Sequence, residues 1–180
     1  MAISILSLCI VGILVWSAAL VDLRTGRIPN QFVLVGAAAG VLLLSYTQGL
    51  TGLQDSLSGL GLGLALMLPG YLLRSTGAGD VKLMAAMGAN LGPLTTLYAF
   101  ALSMVAGAII GLGYAVAAAR RRGAIGPFAR YRRMLQLLFV TGRFHYTRPG
   151  PEEAMSQRFA FALPIAIGTT AAALWAAVPT

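Results

Sequence analysis

One cysteine, one histidine and five acidic residues are all that this chain of 180 residues holds of those types. A lone Cys9 cannot form an intrachain disulfide, and it leaves no paired-cysteine metal site. Its place inside an apolar run makes it a helix filler. His145 has no cysteine or carboxylate pattern around it and is expected at the surface. The sequence therefore predicts no metal and no cofactor. Charged residues make up only 10% of the chain, too few for an ordinary soluble domain. Short segments of alternating polarity are missing too, which excludes an outer-membrane barrel.

What is present is hydrocarbon: 58% of the residues are hydrophobic. Runs of about 20 apolar residues are long enough to span a bilayer as helices, and a helical bundle leaves no backbone group unpaired at that depth. The sequence predicts an all-α, polytopic integral membrane protein of about six transmembrane helices, forming one domain over 1–180. The expected helices cover about 2–21, 31–46, 56–73, two spans within Leu83–Ala119 divided at Asn90–Pro93, and 159–178. Thr47–Asp55 is expected to be a loop, and Pro69-Gly70 a soft interruption. Gly59 and Gly63 match the small-xxx-small pattern of close helix packing.

The net charge of +8 raises nucleic acid or anionic lipid as partners, and its distribution decides. All thirteen Lys and Arg residues fall in three places: Arg24 and Arg27; Arg74 and Lys82; and nine arginines from Arg120 to Arg158. Six spans with the amino terminus outside put all three on the cytoplasmic side, in keeping with the positive-inside rule. Orientation thus explains the charge without nucleic acid. The first run is not read as a cleaved signal, because no basic residue precedes it. Within the basic insert at 120–158, Phe128, Tyr131, Leu135, Leu138 and Phe139 share a helical face, as for an amphipathic helix on the lipid surface.

Two of the five acids, Asp22 and Asp80, stand at the edges of apolar runs, where a carboxylate is costly and usually marks function. The charge topology puts both at the cytoplasmic end of the bundle. Two carboxyls held close cannot easily both ionise, so one keeps a proton, and such a pair can activate water. Alternatively, each neutralises an arginine or caps a helix. Gly77 and Gly79 flank Ala78 before Asp80, freeing the backbone for close approach by another chain.

Asp22-Leu-Arg-Thr-Gly-Arg-Ile-Pro-Asn30 together with Gly77-Ala-Gly-Asp80-Val-Lys82 resembles the type IV prepilin peptidase family, bacterial membrane aspartic peptidases with a Gly-x-Gly-Asp motif. The resemblance covers about residues 5–115, and the chain looks most like the short branch that serves Flp-type tight-adherence pili. It implies that Asp22 and Asp80 are the catalytic pair and that Gly77 and Gly79 shape an active-site loop. Lys82 matches the motif as well, with two roles open: reaching to headgroups, or acting on the ionisation of Asp80. Arg24 and Arg27 are expected to be topological anchors, and Pro29 and Asn30 to fix a turn. The implied activity is cleavage of the basic leader from prepilins or pseudopilins at the cytoplasmic face of the inner membrane. The paired cysteines of the longer, methylating members are missing, so methyltransferase activity is not expected. Two other classes compete: a small proton-coupled transporter, against which the placement of both acids at one face argues, and a non-catalytic pilus or secretion assembly subunit. The partners expected are a precursor protein and membrane lipid; oligomeric state is not legible.

Overall fold

A computed structural model describes residues 5–73, 76–122, 136 and 161–177. Arg74, His145, the expected amphipathic stretch from Phe128 to Phe139 (Gln136 apart) and nearly all of the insert at 120–158 lie outside the described residues. The regular structure described is helical: α1 (Ile5–Thr25), α2 (Asn30–Leu72), α3 (Ala78–Arg122) and α4 (Ala162–Ala177). Three of these contain segments long and apolar enough to cross a membrane, Leu8–Thr25, Asn30–Leu72 and Ala78–Tyr114, and α4 is a shorter apolar helix.

The described residues thus form four helices rather than six separate ones, and the expected loop at Thr47–Asp55 is not there. In its place the helical pattern continues past a single residue, Gly49, with φ 64° and ψ −140°. Glycine adopts that conformation without strain, so one residue does the work assigned to nine. The chain folds back there: a Cβ on Gly52 would overlap the carbonyl oxygen of Leu44, although eight residues along a straight helix are about 12 Å apart. Gly92 (φ 73°) interrupts α3 in the same way, just before Pro93 and inside the expected break. At the other end of the expected scheme, α1 runs on to Thr25 and takes Asp22 into its last turns.

The chain divides into two compact units, residues 1–107 with 160–180, and residues 108–159. In the first, the central element is the arm of α3 before Gly92. Every residue from Leu83 to Gly92 is buried, which requires neighbours on all sides. Backbone meets backbone there. A Cβ on Gly88 would strike the carbonyl of Gly59, one on Gly63 would stand 2.6 Å from the Met84 carbonyl oxygen, and one on Gly40 2.6 Å from the Ala89 carbonyl carbon. The step of four from Gly59 to Gly63 brings both glycines to α3, whereas Gly61 between them faces open space. Such close approach is what drives helix association where lipid is as apolar as leucine.

Polar atoms lock the same contact. Ser56 Oγ donates to the Ala89 carbonyl at 2.7 Å, and Asn90 Nδ2 donates to the carbonyls of Gly36 and Ala86, both at 2.8 Å. Asn90→Leu should therefore cost about 1 kcal/mol, read as a lower unfolding midpoint in detergent micelles. An unchanged midpoint would show that these bonds carry no net stability. Elsewhere in the unit, α1 and α4 are joined by Trp16 Nε1 donating to Thr170 Oγ1 at 3.1 Å, and Gly168 of α4 lies against Ala99 and Ser103 of α3. Ile13, Leu20, Leu34, Leu42 and Leu57 point outward and exposed, an arrangement suited to hydrocarbon rather than water. In the second unit, the described residues are the end of α3 and Gln136, with Ile109, Leu112 and Val116 exposed.

Candidate active site

Asp22 is half-buried on the last turns of α1. The helix closes just after it: Gly26, with φ 65°, donates its N–H to the Asp22 carbonyl at 2.7 Å, a helix-ending bond of the kind a left-handed glycine allows. Pro29 then caps α2 with extended backbone (φ −62°, ψ 134°). The connection between α1 and α2 is therefore only four residues long, 26–29.

Asp80 is 7% exposed and stands in the first turn of α3. Its Oδ2 accepts the N–H of Gly77 at 2.9 Å, while the Asp80 N–H donates to the Gly77 carbonyl at 3.1 Å. This is the acidic half of a capping box, in which the third helical residue reaches back to the N-cap. The helix-capping alternative is thus part of what Asp80 does, and it occupies one carboxylate oxygen. Gly77 makes the geometry possible, since a Cβ there would stand 3.2 Å from that oxygen. Gly79 serves a different contact: a Cβ on it would lie 3.2 Å from the Ile28 side chain. The connection after Asp22 therefore rests on the turn that holds Asp80.

The segments that carry the two carboxyls touch at this end of the unit, Gly79 against Ile28 and Lys82 against Asn30. Asp22 has one further partner, the backbone N–H of Ala162, the first residue of α4. The first N–H groups of a helix have no intrahelical acceptor and carry its partial positive charge. Pro164, in the same turn, has no N–H to offer. The sequence reading missed Ala162, starting this helix at 159. The segment Phe161-Ala-Leu-Pro164 reads as the opening of this helix, with a proline where a first turn tolerates it, but nothing in it marks which N–H faces Asp22.

Lys82 is exposed and turns to the start of α2, where its Nζ donates to Asn30 Oδ1 at 3.1 Å. Asn30, expected to fix a turn, thus also bonds across 52 residues. Asp22, Asp80, Gly77, Gly79 and Lys82 fall in one neighbourhood, and Ile28, Asn30 and Ala162 join them. No group of three His, Cys, Asp or Glu among the described residues is placed to hold a metal ion.

Two carboxyls with a glycine-lined turn beside them can offer one proton and one proton acceptor next to accessible backbone. A family model, the type IV leader peptidase family, matches residues 9–112. No curated protein and no solved structure matches the chain.

Proposed function

We propose, since the chain belongs to the type IV leader peptidase family, that Asp22 and Asp80 are its catalytic dyad and that it cleaves the basic leader from type IV, Flp-like prepilins or pseudopilins. Membership carries the coarser part: a peptidase with a protein substrate, here with membrane-spanning helices. The observation that supports the finer part is the contact between the segments that carry Asp22 and Asp80, 58 residues apart, at one end of the unit.

In this reading the charged carboxyl takes a proton from water, and the hydroxide oxygen bonds to the scissile carbonyl carbon. The protonated carboxyl meanwhile gives its proton to the carbonyl oxygen. The tetrahedral intermediate then collapses: one of its hydroxyls returns a proton to the carboxylate that gave one, the C=O bond reforms, the C–N bond breaks, and the leaving nitrogen receives the proton taken from water. No covalent enzyme intermediate forms. Gly77-Ala78-Gly79 is the open backbone along which an extended peptide lies. The active end faces the cytoplasm of a bacterial inner membrane, where the junction between a basic leader and an apolar helix arrives. Six spans, with turns at Gly49 and Gly92, suit that orientation. Methyltransferase activity is not part of the proposal.

The test is co-expression with a precursor carrying a basic head, a glycine at the junction and an apolar helix, followed by mass determination of the product's new amino terminus. The expected cut lies at that junction. An intact precursor would favour the transporter or the assembly subunit. The fit at Gly79 supplies a compensation: Gly79→Ala should lower cleavage several-fold by pressing on Ile28, and Ile28→Ala in the same chain should restore most of it. Initial rates on the same precursor measure both. An unrestored rate would mean that the Gly79–Ile28 contact does not set the loop.

A further inference from the structure

We propose that the hydrogen bond from Lys82 to Asn30 is a clasp that holds the Asp80 turn against the Asp22-bearing connection, making Lys82 and Asn30 positioning residues for the dyad. The inference rests on the peptidase reading. Asp22 and Asp80 sit on segments with no chain continuity over 58 residues, so their separation has to be set by contacts between those segments. Among the contacts near the site, two are of different kinds. One is apolar, Ile28 on Gly79, and stops closer approach without preventing separation. The other is directional, Lys82 Nζ to Asn30 Oδ1 at 3.1 Å, and resists separation.

Helical geometry says why the lysine stands where it does. Residues two apart on a helix do not face each other, being about 200° apart around the axis. Lys82 therefore leaves α3 on a different side from Asp80, and its ammonium is engaged with α2. Asn30 opens α2 directly after Pro29, whose fixed φ stiffens the four-residue connection back to α1. A pull at Asn30 is thus transmitted to the end of α1 with little slack. A dyad displaced by a fraction of an ångström loses rate without losing substrate affinity.

The experiment uses the full chain in membranes and the same precursor, with the parent and Asp80→Asn as controls. Lys82→Met and Asn30→Ala are each expected to lower kcat by about tenfold at unchanged KM. The double variant should be no slower than the slower single one. Asn30→Asp, which keeps the acceptor oxygen, and Lys82→Arg, which keeps reach and charge, should recover most of the rate. Losses that multiply in the double variant would overturn the clasp. So would a normal rate in Asn30→Ala together with a shifted pH profile in Lys82→Met, since the lysine would then act through its charge alone. Poor accumulation of Asn30→Ala that Asn30→Asp does not correct would also overturn it. A parent that cuts nothing would overturn the peptidase reading, and the clasp with it. An active parent with additive variants would overturn the clasp alone.

Discussion

Asp22→Asn and Asp80→Asn should each slow precursor cleavage by about a thousandfold while the protein accumulates in the membrane as before. The second half of that expectation comes from the hydrogen bonds. At Asp80, the amide oxygen of asparagine can still accept the Gly77 N–H that Oδ2 accepts, so the first turn of α3 stays capped. At Asp22, an amide oxygen can likewise accept the N–H of Ala162. What asparagine cannot do is take or release a proton in the working range. The substitution therefore separates the capping role from the chemical one, which alanine would not. A dyad that acts as one unit also predicts a double variant no slower than either single one. Initial rates by gel shift, normalised to the amount of enzyme in the membrane, decide it. Either variant cleaving within tenfold of the parent would remove Asp22 and Asp80 from the chemistry.

The second large effect is on folding. Gly88→Val and Gly59→Val should each leave little folded protein, because the first added carbon already meets a backbone carbonyl across the interface. Side chains can rotate away from an intruding methyl group, but a main-chain carbonyl in a helix cannot, so the cost falls at the upper end for overpacking, about 3 kcal/mol. Gly61→Val is the control, on the same helix with nothing within 4 Å of its Cβ position. It should accumulate and cleave like the parent. Size-exclusion profiles and resistance to added protease distinguish folded from misfolded protein. Equal accumulation of all three variants would mean that the Gly59–Gly88 contact is not formed in the membrane.

Much of the candidate site was legible because charge leaves sparse marks in a sequence this apolar. Asp22 and Asp80 stood out as acids at the edges of hydrocarbon, and Gly77 and Gly79 as glycines beside one of them. Periodicity had less to offer. Leu83–Gly92 is apolar on all sides, and a helix sheathed by protein has the same pattern as one bathed in lipid. Only the glycines of α2 that face it tell them apart. Gly49 was hidden for another reason: a reversal made by one residue needs no polar stretch to announce it, so the turn there was read as a nine-residue loop, whereas the break at Gly92 falls inside the one expected at Asn90–Pro93. Ala162 was missed because its contribution is a backbone N–H, which every residue but proline has. The Lys82–Asn30 bond joins two recognisable motifs, but their pairing across 52 residues is set by packing.

The bare-backbone seam between α2 and the buried arm of α3 also acts as a ruler. Where leucines or methionines separate two helices, the gap varies with rotamer and can give with temperature or lipid. Where Gly59 touches Gly88 and Gly63 touches Met84, the gap is set by atomic radii alone and has almost no play. Asp80 is carried at the end of that seam, three residues before the sheathed stretch begins at Leu83. Its height along the bundle is therefore gauged from within the protein, independent of how thick or fluid the surrounding bilayer happens to be.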